Sequence, residues 1–157
     1  MTEGLKEPVI VRPDEDFWLG WREWVALPGL GLSSLKAKVD TGARTSCLHT
    51  ARLEDYTDED GHRRVRFWVH PHQGDDETLV ACDAPVKDER LVADSGGHRE
   101  MRFVIETPVH IGPYCWPVEM TLTNRDSMRF RMLLGRTAMA ARALVSPSKS
   151  YLAGNPR

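Results

Sequence analysis

The residues best suited to chemistry are Asp40, Thr41 and Gly42, which end the alternating run of "LKAKVDTGARTSCLH". A carboxylate at the exit of an apolar strand is costly to seat unless donors or a reaction make use of it. Thr41 brings a hydroxyl to a hydrogen-bond network, and Gly42 permits a tight turn in which backbone N–H groups approach the carboxylate. That arrangement suits a group that takes a proton from water. Asp-Thr-Gly is equally an ordinary strand-exit turn, so other elements have to decide between the two.

Competing chemistries have thinner support. Cys47 and His49 are two apart on a continuing strand and could share a side, but nothing nearby orients them as a nucleophilic pair. The six histidines, at 49, 62, 70, 72, 98 and 110, are scattered and form no H-E-x-x-H. His70 and His72 could face one way, yet a metal would need further ligands from elsewhere. No G-x-x-x-x-G-K-[ST] phosphate cradle occurs. Trp18, Trp21 and Trp24 read as core or dimer packing rather than a platform for stacking bases. No metal and no cofactor is expected.

The elements that must position Asp40 are strands. Apolar alternation or short apolar runs mark residues 8–11, 22–28, 35–40, 63–71, 77–86, 101–111, 116–123 and 130–135. Gly, Pro, Asn and Asp punctuate them at Pro28-Gly29-Leu30-Gly31, Ser95-Gly96-Gly97, Gly112-Pro113 and Asn124-Arg125-Asp126. Residues 50–62 are acidic and polar and read as an excursion or hairpin tip. One helix of two or three turns is expected in "RTAMAARALV", after Gly135. The fold class is all-β.

About ninety residues beyond Asp40, an apolar strand runs into Leu133-Leu134-Gly135-Arg136 and the helix. Here the chain resembles the retropepsin-type aspartic proteases, which pair a D-[TS]-G-[AS] loop with a later apolar-apolar-Gly-Arg/Asp element. Asp40-Thr41-Gly42-Ala43 and Leu134-Gly135-Arg136 match both, in order. The segment between them resembles that family's flap hairpin, with its tip at Ser95, Gly96 and Gly97. The stretches "GWREWVALPGLGLSSLKAKVDTGARTSCLH", "MTLTNRDSMRFRMLLGR" and "VSPSKSY" are also similar to a bacterial retropepsin-like family long labelled ATP-dependent zinc protease. Its members are often encoded beside ATP-grasp ligases that add glutamate to protein ends. Neither the zinc nor the ATP of that label has a motif in this chain.

The resemblance implies a retropepsin-like closed β-barrel, one lobe per chain, with a core over about 22–145 and terminal segments as dimer or edge strands. It implies a peptide or protein substrate, and a homodimer, because a single Asp-Thr-Gly supplies only one of two carboxylates. Asp40 is then catalytic, Thr41 clamps the paired loops, Gly42 and Ala43 contact substrate backbone, and Ser95, Gly96 and Gly97 close over the peptide. One departure stands out. Small retropepsins place an acid after D-[TS]-G-A, where it pairs with the later arginine; this chain has Arg44. Arg136 must then find another acid or stay solvated, while Arg44 could bind an acidic side chain of substrate. A non-catalytic peptide-binding dimer and a zinc-dependent protease are the alternative readings.

Length and composition bound the rest. The 157 residues suit one domain. A net charge of −2, from 21 basic and 23 acidic residues, supplies no global field to gather nucleic acid or an anionic membrane. No apolar run is long enough to span a bilayer, and "MTEGLKEPVI" lacks the basic and apolar regions of a signal peptide, so a cytoplasmic protein is expected. Three cysteines without CxxC spacing favour reduced thiols.

Overall fold

The computed structural model describes residues 17–75, 77–93, 96–124 and 129–157. The expected strand at 8–11, together with Ser95, Arg125 and Asp126, lies outside these residues. In chain order the elements are β1 (Trp18–Leu19), β2 (Arg22–Leu27), β3 (Leu32–Val39), β4 (Ser46–His49), β5 (Arg52–Thr57), β6 (Arg63–Val69) and β7 (Val80–Pro85). There follow β8 (Asp88–Ala93), β9 (Arg99–Ile111), β10 (Tyr114–Thr123), β11 (Met132–Leu134), α1 (Arg136–Met139) and β12 (Leu144–Val145).

Alternation along these strands explains how they pack. In β3, Leu32, Leu35, Ala37 and Val39 are buried while Lys38 is exposed, and β9 and β10 also bury alternate side chains over much of their lengths. The sheet runs β10-β4-β11-β3-β2-β9-β8, and β9 pairs again with β10. That last pairing closes six strands into a barrel and leaves β8 as an extension of β9. The all-β class and the closed retropepsin-like barrel are therefore as expected. Leu27, Leu35, Leu48, Ile105, Ile111, Met120 and Met132 are among its fully buried residues.

Two connections control the barrel's shape. Gly31 adopts φ 73° after the 3-10 turn Pro28–Leu30, and Gly112 adopts φ 55° in the two-residue link between β9 and β10. Both are conformations that side chains with a Cβ resist.

Residues 50–62 are more ordered than the excursion their polarity suggested. They supply β5 and the first turn of a separate β5-β6-β7 sheet. Its inner face contributes Val65, Phe67, Cys82 and Ala84 to the core. The helix is shorter than its composition predicted. It ends at Met139, Ala140 leaves helical geometry at φ −56°, ψ 131°, and Ala141 takes φ 62°. Tertiary pairing overrides propensity here. The chain must turn so that Leu144 can donate to Phe17 O and β12 can lie parallel to β1.

A carboxylate fastens the C-terminal segment under the barrel. Glu23 is fully buried and accepts N–H donors from Gly20 (2.6 Å), Leu152 (2.9 Å) and Ala153 (3.1 Å). Trp24 stacks on Tyr151 beside it, so this tryptophan packs rather than reads bases. Among the described residues, no helix is long and apolar enough to cross a membrane.

Candidate active site

β3 delivers Asp40 at its end, and the loop turns back at once so that the carboxylate meets its own backbone. Asp40 Oδ1 accepts the N–H groups of Gly42 at 3.0 Å and Ala43 at 3.2 Å. The carboxylate is held in place by these two donors while the residue stays only partly buried. Gly42 is exposed, and a Cβ there would lie 3.3 Å from Asp40 Oδ1. Its role is close approach to that carboxyl, since its φ lies outside the left-handed region.

The second element, Leu134-Gly135-Arg136, is stitched to this loop by five hydrogen bonds. Asp40 N donates to Leu134 O (2.9 Å), Arg136 N to Ala43 O (2.7 Å) and Thr137 N to Arg44 O (3.0 Å). Gly135 N donates to Ser46 Oγ (2.9 Å), and Arg136 Nη1 to Thr41 O (3.0 Å). A Cβ at Gly135 would lie 2.5 Å from the carbonyl carbon of Thr45, so only glycine fits. Arg136, expected to find an acid or stay solvated, is exposed and also braces the loop through a carbonyl. With Arg44 in place of an acid, the nearest acceptor is the backbone of the loop itself.

Thr41, Gly42, Arg44, Arg136 and Thr137 are exposed, and Ala43 is half-buried. The motif therefore opens at the surface of the single chain. Among the expected site residues, 40–44 and 134–136 come together. Gly96 and Gly97 are exposed on the connection between β8 and β9, where Gly97 has φ 85°.

The root of that hairpin is fixed by charge. Arg90 grips Glu119 of β10 with two bonds, 2.8 and 3.2 Å, and Lys87 Nζ lies 3.0 Å from the same carboxylate. Arg90 first, and then Lys87, hold the Glu119 carboxyl down to about 2. Arg63 adds a bridge to Glu89 and lies over Phe103. Sequence reasoning missed this anchoring, together with Ser46, Thr137 and Glu23. None of these left a local sign in the sequence, because the partners that give them their roles are distant in the chain.

The remaining candidates do not assemble a second centre among the described residues. His70 Nδ1 lies 2.9 Å from Thr78 O, and His72 is exposed. Among the described residues, the one group of three metal-ligating side chains is Asp58, Asp60 and His62, on the outer β5–β6 turn, not the histidines singled out from sequence. None of the three cysteines is in a disulfide, and burial raises the Cys82 thiol to about 11.

A Legionella pneumophila protein of unknown function has the same fold, with a TM-score of 0.73 over 88% of this chain and 99% of that one, at 22% identity. Two proteins named probable alpha-L-glutamate ligase are closer in sequence. That of Shewanella halifaxensis is 44% identical over 141 residues, 90% of this chain, and that of Desulfotalea psychrophila 45% over 130 residues, 83% of it. The chain spans about a third of the length of these relatives, 31% and 28% respectively. The model of the RimB-like family, described as retropepsin-like aspartic endopeptidase RimB, matches residues 18–156, and the chain belongs to that family.

Proposed function

We propose that two copies of this chain associate with their Asp40 loops face to face and hydrolyse peptide bonds as an aspartic endopeptidase. The observation that carries this reading is the Asp40 carboxylate, oriented by the Gly42 and Ala43 N–H groups in a braced loop that stays open to its surroundings. A single such group cannot take a proton from water and give one to the carbonyl oxygen in the same step. Two brought together share one proton, because like charges that close resist joint ionisation. The ionised member takes a proton from water as the water oxygen adds to the scissile carbonyl carbon. The protonated member gives its proton to the carbonyl oxygen. Collapse then breaks the C–N bond, with a proton passed to the departing nitrogen. Gly96 and Gly97 at the hairpin tip close over the peptide and limit water.

Homodimerisation is supported by apolar surface near the chain ends. Trp18 and Leu144, opposite each other in the β1–β12 pair, are each 46% exposed, and Leu152 is 43% exposed. An acidic substrate, in particular a protein end bearing added glutamates, is supported by Arg44 beside the loop and by the relatives' being named glutamate ligases.

The test is Asp40→Asn. Cleavage of glutamate-bearing peptides should fall by roughly 10³-fold or more, with unfolding midpoint and association state unchanged. Equal cleavage by the two proteins would remove the aspartic mechanism, and a wild-type protein that binds peptide without cutting it would leave a peptide-binding dimer.

A further inference from the structure

A second arginine, on the flap strand, has the chemistry to select substrate. Arg102 of β9 is only 9% exposed. Its Nη1 donates to Cys47 Sγ at 3.5 Å, its Nη2 lies 3.6 Å from Glu100 Oε2, and its Nε has no hydrogen-bond partner. A guanidinium carries five donors and is seated well by a bidentate carboxylate at shorter range. Glu100 does not supply that. Its two oxygens also accept from Thr123 Oγ1, at 3.1 and 3.4 Å, and its side chain is 39% exposed. A buried cation this poorly matched is costly for a fold to carry unless another carboxylate completes it.

Strand register places Arg102 on the same face of the barrel sheet as Lys38, near the strand end that leads into Asp40. Side chains two apart along a strand share a face. Arg102 therefore shares one with Val104, which pairs with Thr121; Thr121 and Leu133 both pair with Cys47, Leu133 pairs with Lys38, and Asp40 lies two residues beyond. Cys47, which Arg102 touches, is two strands from β3. At about 4.8 Å per strand and about 3.3 Å per residue, this puts the guanidinium on the order of 12 Å from Asp40. An extended peptide covers that distance in roughly three to four residues.

We propose that Arg102 is a specificity-determining residue that receives the carboxylate of an acidic substrate side chain a few residues from the scissile bond, displacing Glu100. This rests on the peptidase reading of the Asp40 site and names the residue behind its acidic preference. Arg44 is exposed, and an ion pair there is screened by water. Arg102 is shielded, so a matched carboxylate gains more and a neutral isostere leaves the cation unpaired.

Binding to the Asp40→Asn protein tests this independently of cleavage. The probes are peptides carrying one Glu, or Gln in its place, scanned along the sequence, each with an amidated or a free C-terminus. At one position Glu should bind about tenfold tighter than Gln, whichever terminus is present. Adding Arg102→Gln should bring that ratio close to one, and Arg102→Lys should restore part of it. Adding Glu100→Gln, which frees the guanidinium, should raise the ratio and decides the matter if Arg102→Gln does not fold. A ratio unchanged by Glu100→Gln and by any folded Arg102 variant overturns the assignment, as does absence of any Glu preference, or a preference seen only with a free terminus. Failure of the peptidase reading looks different: wild type cuts neither peptide while Asp40→Asn still discriminates between them.

Discussion

Gly135 carries the strictest requirement of any residue near the site. Its would-be Cβ meets the backbone of Thr45 and Ser46, not a side chain that could move aside. Gly135→Ala must push the Gly-Arg element away from the Asp40 loop, at a cost of about 1–3 kcal/mol in denaturant-measured stability, with a matching loss of peptidase activity. Ser46→Ala acts on the same contact. It leaves the buried Gly135 N–H without its 2.9 Å acceptor and should cost about 1–3 kcal/mol. Asp40, Gly135 and Arg136 were readable in the sequence because their types and order are themselves the signal. Ser46 and Glu23 were not, since a serine or glutamate gives no local sign of which distant N–H groups it will meet. Arg136 shows the limit of pairwise reasoning: without an acid to pair with, it took a carbonyl.

Among the elements, β9 and β10 were the most legible, because long apolar alternation and a Gly-Pro turn mark them. The short ones were obscure. β1 and β12 are two residues each, too brief for any period to show, and their pairing halts α1 after a single turn. The β8–β9 hairpin owes its stability to charge as well as pattern, which gives it a pH dependence. The Glu119 carboxyl, ordinarily near 4.5, is depressed to about 2 in the folded protein. A depressed carboxyl stabilises the fold above its ordinary value, and that contribution is lost as pH falls from about 4.5 toward about 2. With the side chain 29% exposed and screened by solvent, it amounts to about 1–2 kcal/mol. Urea denaturation across this range should show the decline, and Glu119→Gln should flatten it. A slope unchanged by the substitution would place the acid sensitivity elsewhere.

At the scale of the whole molecule, the proposed dimer needs a surface on which two copies meet, and Trp18 and Leu144 are among the exposed apolar side chains a second copy would cover. Trp18→Glu combined with Leu144→Glu should weaken self-association in sedimentation experiments and lower activity per chain at low concentration. Adding protein back should recover that activity by mass action. The all-β class followed from strand patterning and turn chemistry, and the closed barrel from the resemblance that the two motifs carry. In the β5-β6-β7 sheet, β6 and β7 lie within the expected strands 63–71 and 77–86, whereas β5 did not follow, because its exposed Arg52, Glu54 and Asp55 conceal any apolar alternation.

The claim that matters most is that two Asp40 carboxylates from different chains act as one unit. Wild-type chains mixed and equilibrated with Asp40→Asn chains at constant total concentration measure this directly. If each active centre needs both carboxylates, activity follows the square of the wild-type fraction, so an equal mixture retains about one quarter of full activity. Activity falling in direct proportion, to about one half, would mean that each chain works alone and would contradict the shared site.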